Sequence, residues 1–148
     1  MGMIMWELTT GCKPFANIEH DTDLIYEIID GKRPEITSDT PECYANLMKR
    51  CWDSDPSKRP FINEIRNTAH TWWAIYQSGY FSLHGIDIID KQFEQAEKRR
   101  IELIQSKKLG PEFSEKPHLK AIFTSRALSS LISKYSTINL SISTKQGM

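Results

Sequence analysis

The residues of this 148-residue chain that could do chemistry are few and widely spaced. The candidate nucleophiles and metal ligands are three cysteines and four histidines: Cys12, Cys43, Cys51, His20, His70, His84 and His118. Cys43 and Cys51 share a predicted helix in which they stand about 12 Å apart, which is too far for a disulfide. The histidines are scattered, so the sequence predicts no metal site. We therefore expect reduced, buried cysteines in an intracellular, cytoplasmic protein.

One arginine has a setting that suggests a specific partner. In the stretch CWDSDPSKRP, residues 51–60, Arg59 stands directly before Pro60 and shortly after Pro56. A guanidinium held by such a rigid backbone is typical of an ion pair with a carboxylate. Whether that carboxylate lies within the chain decides whether the stretch is a complete site.

The distribution of charge and the length of the apolar start argue against two classes of partner. Nineteen basic and nineteen acidic residues cancel over the whole chain. Residues 1–79 carry 8 basic against 12 acidic side chains, whereas residues 80–148 carry 11 against 7. Because acidic residues interleave with the basic ones, we expect no nucleic-acid partner. The apolar start MGMIMWEL is too short for a membrane span or a signal peptide, so we expect no membrane partner either.

Helical spacing of the apolar residues predicts an all-α fold for the first half, because no strand alternation occurs there. Four helices are expected, at about residues 1–9, 22–30, 40–51 and 60–76. The first is apolar on nearly every side, which is typical of a helix buried in a larger core. Gly11 should end it with a left-handed cap, while Asp21 and Thr40 should cap the second and third helices, Pro41 following Thr40. The second should be amphipathic through Leu24, Ile25, Ile28 and Ile29, and the fourth should bury Phe61, Ile62, Ile65, Ala69, Trp72, Trp73 and Tyr76.

Three stretches in order, GMIMWELTTGCKPF, LIYEIIDGKRPEI and PECYANLMKRCWDSDPSKRPFINEI, resemble the last part of a protein kinase catalytic domain of the tyrosine-kinase or tyrosine-kinase-like type. The resemblance covers about residues 1–76 and implies a four-helix fragment of the helical C-terminal lobe. The residues that match the family's signatures are Gly2, Trp6, Glu7, Thr10, Gly11, Pro14, Phe15, Cys51, Trp52, Asp55, Pro56, Arg59 and Pro60. In the family these residues are architectural, so none of them is expected to be catalytic.

The departures from the family pattern concern the whole catalytic apparatus. The sequence contains no Gly-rich phosphate loop, no strand lysine in its motif, no H-R-D, no D-F-G and no A-P-E. The aspartate that the family places four positions before Met1 would be missing too, so we interpret the chain as a kinase domain truncated at its N-terminus. We expect no catalytic, cofactor-binding or metal-binding residue here, although the intact family uses ATP and Mg.

The resemblance also suggests what Arg59 lacks. In the family this arginine pairs with the glutamate of A-P-E, which the chain does not contain. Leaving a buried charge without its partner costs about 3–5 kcal/mol. We therefore expect Arg59 either to find another partner or to turn toward solvent.

The second half differs in character from the first. Residues 87–108 predict a charged, solvated helix with a narrow stripe of Ile89, Phe93, Ala96, Arg100 and Ile104, and with Glu94 and Lys98 as an i,i+4 pair. Gly110 and Pro111 should break it. The predicted domains are a kinase portion at 1–78, a charged helical extension at 79–109 and a basic, serine-rich, disordered tail at 110–148. The tail is similar to those after kinase domains in expanded fungal families, and serines near Arg126 could accept phosphate.

Two functions remain open at this point. The chain can be the C-terminal fragment of a kinase that phosphorylates Ser/Thr or Tyr, inactive alone because the ATP site and catalytic loop are missing. Alternatively, it can be a non-catalytic interaction module derived from a kinase. In that case the helix at 22–30 would dock partners or substrates, and apolar surface left uncovered would favour association.

Overall fold

A computed structural model describes residues 1–78, 86–108 and 117–124 of the chain. Within these ranges there are five α-helices, one short 3-10 helix and no β-strand, so the prediction of an all-α fold is confirmed. The α-helices are α1 (Gly2–Thr10), α2 (Thr22–Ile29), α3 (Glu42–Cys51), α4 (Ile62–Ser78) and α5 (Ile86–Gln105), and the 3-10 helix is Pro56–Lys58.

The chain divides into two compact units. The first contains Met1–Pro14 and Arg33–Phe113, and therefore α1, α3, α4 and α5. The second contains Phe15–Lys32, which includes α2, and Ser114–Met148, of which residues 117–124 are described.

The core of the first unit lies between α1 and α3. Met5 and Trp6 of α1 pack against Leu47 and Met48 of α3, and both Trp6 and Met48 are fully buried. Partly buried side chains surround these four: Cys12, Ile36, Tyr44, Cys51, Trp52, Ile65 and Trp72. Burial of an aromatic and three long aliphatic side chains supplies the main stabilising term for the unit.

The prediction that α1 is buried on all sides is wrong for this structure. Ile4 is 56% exposed and Leu8 is 73% exposed, whereas Met5 and Trp6 are buried. The reason is that α1 packs on α3 along one face, and the apolar composition of its opposite face does not by itself supply a neighbour.

The ends of α1 and α2 follow the chemistry expected from the sequence. Gly11 has a φ of 68° and its N–H donates to the Glu7 carbonyl at 2.9 Å, which is a left-handed cap. At α2, the Leu24 N–H donates to the Asp21 carboxylate at 3.0 Å, which is the N-cap bond that a short polar side chain makes. Both capping predictions are confirmed.

The N-terminus of α3 is capped differently from the prediction. The Thr40 hydroxyl lies 3.2 Å from the Thr37 hydroxyl, and Pro41 has the extended ψ of 140° that marks the last residue before the helix. The N–H of Cys43, in the first turn of the helix, instead donates to the Gln92 side-chain oxygen of α5 at 2.8 Å. One of the unsatisfied amides at the start of α3 thus has a partner 49 residues along the chain.

Helix α4 begins at Ile62 rather than Pro60, and most of its predicted apolar face is not buried. Phe61 is 85% exposed and Tyr76 is 79% exposed, whereas Ile65 and Trp72 pack against the core. The ring of Trp72 lies between the rings of Tyr44 and Phe93, with centroid distances of 5.8 and 6.0 Å. The helical spacing therefore identified the apolar face of α4. The extent to which this face is buried depends on how much of it α3 and α5 cover.

Helix α5 lies against α3 and α4. Ala96 on its predicted apolar stripe is buried, and Phe93 contacts Trp72. The predicted Glu94–Lys98 ion pair is absent from the described residues, whereas Arg99 and Glu102 form an i,i+3 pair at 3.1 Å. The part of the stripe at Phe93 and Ala96 thus packs on the other helices, whereas Ile104 at its end is 53% exposed because no described helix reaches it.

In the second unit, residues 117–124 contact the loop that precedes α2. The His118 N–H donates to the Ala16 carbonyl at 2.7 Å, and Lys120 forms an ion pair with Glu19 at 2.9 Å. The ring of His20 meets Phe123 edge-on at 5.1 Å. The remainder of the predicted disordered tail, and the serines near Arg126, lie outside the described residues.

Candidate functional site

Gly2 allows two chain segments to approach closely. A Cβ atom built on Gly2 would lie 2.9 Å from the Met48 carbonyl oxygen and 2.9 Å from Cβ of Trp52. Both distances are shorter than real Cβ contacts, and a backbone atom cannot move aside as a side chain can. The glycine and the tryptophan that the sequence singled out therefore meet, and they hold the start of α1 against the end of α3.

The other matched residues of α1 anchor its middle and its end. The Trp6 indole N–H donates to the Glu35 carbonyl at 2.7 Å, which ties the helix to the segment before α3. Glu7 pairs with Lys13 at 2.6 Å across the turn that Gly11 makes. Each of these contacts helps to position the backbone. In each of them the polar side chain is engaged with a structural partner and is not available as a catalytic group.

The end of α3 is held by a contact that the sequence analysis did not identify. The Arg33 guanidinium donates through Nε to the Trp52 carbonyl at 2.9 Å. Arg50 pairs with Glu64 of α4 at 2.6 Å, although both side chains are about half exposed. The stretch Lys-Arg-Pro at 32–34 does not predict this bond, because a hydrogen bond from arginine to a carbonyl has no characteristic sequence spacing.

Cys43 and Cys51 are not activated as nucleophiles. Burial raises the pKa of the Cys43 thiol, and burial also raises the pKa of Cys51, although the positive N-terminus and Arg50 oppose the change at Cys51. A raised pKa lowers the thiolate fraction near neutral pH, and the thiolate is the reactive form. Cys12, Cys43 and Cys51 are free and each is only partly buried, so the prediction that the cysteines are buried is wrong, because each lies at the margin of the core rather than inside it.

The turn between α3 and α4 is built by short polar bonds. The Asp55 carboxylate accepts from the Ser57 N–H at 2.9 Å and from the Ser57 hydroxyl at 2.7 Å, and Pro56 begins the 3-10 helix. Arg59 donates through Nε to the Asp53 carbonyl at 2.8 Å and through Nη2 to the Ser54 carbonyl at 3.5 Å. The guanidinium is exposed and has no carboxylate partner among the described residues, which is one of the two outcomes expected from the sequence.

The Asp55 carboxyl should titrate abnormally. The hydrogen bonds from the Ser57 hydroxyl and N–H lower the pKa of Asp55 below its ordinary value. Because this folded-state pKa lies below the unfolded one, the carboxylate contributes stability above the unfolded pKa, and the contribution is lost as the pH falls through the folded pKa. We expect NMR titration to show a lowered Asp55 pKa that Ser57→Ala raises. Ser54→Ala is the control, and an Asp55 pKa equally raised by it would contradict this assignment.

The signature residues thus form an architectural site. Gly2, Trp6 and Trp52 lie together at the junction of α1 and α3, and Asp55, Pro56 and Arg59 shape the following turn. No group of three or more His, Cys, Asp or Glu side chains that could hold a metal occurs within residues 1–78, 86–108 and 117–124. Every helix in the described part of the chain is too short or too polar to cross a membrane.

Comparison with known proteins agrees with the resemblance to protein kinases and does not distinguish the tyrosine-kinase-like type. The family model described as protein tyrosine and serine/threonine kinase matches residues 1–69. The probable serine/threonine-protein kinase pats1 of Dictyostelium discoideum is 41% identical over 66 residues, which is 45% of this chain and 2% of that protein. Mitogen-activated protein kinase kinase kinase 7 of Homo sapiens is 38% identical over 65 residues, which is 43% of this chain and 11% of that protein.

The matched segment is therefore a small part of each relative. No solved structure matches the chain. The matched residues include α1, α2, α3 and the first part of α4, together with every signature residue discussed above. Over residues 1–69, this chain is similar to the protein tyrosine and serine/threonine kinases.

Proposed function

We propose that residues 1–78 are the C-terminal helical part of the catalytic domain of a tyrosine-kinase-like protein kinase. The single observation that carries the proposal is the match to the kinase family over residues 1–69. The junction of Gly2, Trp6 and Trp52 supports it, because the residues that match the family's signatures are those that join α1 to α3. In an intact domain this part would hold the ATP- and Mg-binding elements in position. The domain would phosphorylate Ser/Thr or Tyr, and we place it inside the cell.

A chimera tests the proposal directly. The 65 aligned residues of mitogen-activated protein kinase kinase kinase 7 are replaced by those of this chain, and phosphotransfer from ATP is measured. We expect the chimera to fold and to retain phosphotransfer, because the replaced helices would serve the same architecture. A chimera that folds by circular dichroism yet transfers no phosphate would contradict the proposal.

Substitution of Arg59 in the 148-residue chain and in the chimera provides a second, matched test. In the 148-residue chain, Arg59→Ala removes two exposed bonds to carbonyl oxygens and should cost no more than about 1 kcal/mol. In the chimera, the same substitution should cost about 3–5 kcal/mol, because the relative would supply the glutamate partner that the family resemblance implies. Equal costs in the two settings would argue against a shared architecture.

The 148-residue chain alone is proposed to be inactive. Its sequence contains none of the motifs that bind ATP or position Mg. We expect no change in melting temperature with millimolar Mg-ATP and no phosphotransfer to a general protein substrate. A saturable rise in melting temperature would overturn this part of the proposal.

A second candidate function is a non-catalytic interaction module that uses α2. On this helix Leu24 is buried, whereas Tyr26 and Ile29 are 49% and 60% exposed. Exposed apolar side chains on one helix are typical of a docking surface. This candidate predicts a stoichiometric complex that Tyr26→Ala weakens, and the kinase-fragment proposal does not require such a complex.

A further inference from the structure

An open apolar groove runs between α4 and α5, and all of its described lining residues except Ala69 lie beyond the residues that match the kinase family. Its volume is about 870 Å³, and its lining includes Trp73, Tyr76, Phe93 and Ile101. Trp73 is 55% exposed and Tyr76 is 79% exposed, so two large aromatic side chains face solvent at one edge. Tyrosine and tryptophan are residue types enriched at protein interfaces.

Carboxylates line the α5 side of the groove. Asp90, Glu94 and Glu97 follow one another along α5, and Lys98 is the one lysine among the described residues that line the groove. At 1.5 Å per residue the row extends for about 10 Å along the helix axis. None of the three carboxylates forms an ion pair within the described residues, so a basic partner would not have to displace one.

We propose that this groove binds a basic amphipathic helix of a partner protein. The apolar floor would accept the partner's apolar stripe, and lysine or arginine side chains along one flank of that stripe would meet Asp90, Glu94 and Glu97. A row of carboxylates spread over two helical turns matches side chains repeated along a helix better than the single polar group of a small ligand.

Charge also argues against a second copy of the chain as the occupant. In a two-fold symmetric dimer the same surface patch contributes from both copies. The groove would then bring two acidic rows together, and like charges placed together across an interface are unfavourable. The proposal is independent of the kinase assignment, because every residue in it lies beyond residue 69 or at the edge of the match.

The test uses the full 148-residue chain and two fluorescein-labelled peptides. One peptide contains only leucine and lysine in an amphipathic helical pattern, and the other has every lysine replaced by glutamate. We expect fluorescence anisotropy to show binding of the Leu/Lys peptide at least about tenfold tighter than that of the Leu/Glu peptide. Tyr76→Ala combined with Trp73→Ala should weaken the Leu/Lys peptide at least about tenfold.

Further variants test the contribution of charge and the specificity for the groove. Glu94→Gln with Glu97→Gln should weaken the Leu/Lys peptide and reduce the salt dependence of its binding, while Phe61→Ala, on an exposed aromatic outside the groove, should change nothing. Circular dichroism establishes that each variant is folded. Absence of peptide binding, equal binding of both peptides, or equal effects of the combined Trp73→Ala and Tyr76→Ala variant and of Phe61→Ala would overturn the proposal. So would a dimer, seen by sedimentation, that Trp73→Ala dissociates, because a second copy would then fill the groove.

Discussion

Replacing Trp6 by alanine should lower the free energy of unfolding by about 3–5 kcal/mol, the range for removing a fully buried large aromatic side chain. Trp6 is completely buried between α1 and α3, where it packs with Met5, Leu47 and Met48. The loss would be a large part of the stability of a domain of this size. Urea denaturation followed by circular dichroism measures it without relying on tryptophan fluorescence.

Trp6→Phe separates the hydrogen bond from the packing. Phenylalanine keeps most of the apolar volume but cannot donate to the Glu35 carbonyl, which the indole N–H contacts at 2.7 Å. We expect a loss of about 1–3 kcal/mol, smaller than for alanine. Trp73→Ala is the matched control, because Trp73 is more than half exposed, and it should cost only about 0.5–1 kcal/mol. A Trp6→Ala loss no larger than that of the control would contradict the assignment of the core.

Gly2→Ala should lower the free energy of unfolding by about 1–2 kcal/mol, although alanine normally favours a helix over glycine by about 0.5–1 kcal/mol. The added methyl group would lie 2.9 Å from the Met48 carbonyl oxygen and from Cβ of Trp52. The end of α3 would have to move away from α1, which would disturb the packing around Met48. Urea denaturation of the two proteins measures the difference, and a stabilised Gly2→Ala protein would refute the close approach.

Gly11 is the appropriate comparison because its requirement is different. A Cβ built on Gly11 meets nothing within 4 Å, yet the φ of 68° is unfavourable for alanine and tolerated by asparagine. At position 11, asparagine should therefore cost less than alanine. At position 2 the order should reverse, since the larger side chain increases the overlap. The same order at both positions would show that backbone conformation, rather than space, limits Gly2.

The sequence predicted well those features whose cause lies within a few residues. Gly11 and Asp21 end and begin their helices because each cap involves a backbone group three or four positions away. The cap of α3 could not be predicted in the same way, because its acceptor belongs to Gln92 on another helix. The family pattern identified Gly2 and Trp52 as important without indicating that they touch each other.

Burial was predicted less well than helix position. The apolar spacing of α4 is genuine, but Tyr76 remains in solvent because the described helices cover only the side that holds Ile65 and Trp72. Arg59 shows the same dependence on long-range partners. Its exposure was one of the two outcomes expected from the sequence, whereas its bonds to the Asp53 and Ser54 carbonyls depend on the detailed path of the turn.

The bond from Cys43 to Gln92 has a consequence for the order in which the chain is made. The two residues are 49 positions apart, and a ribosome that adds about 5–20 residues per second needs about 2–10 s to cover that distance. During this interval α3 can form, but one of its first amides has no acceptor from α5. The nascent chain should therefore consolidate α3 late, when the extension beyond the kinase-like segment has left the ribosome.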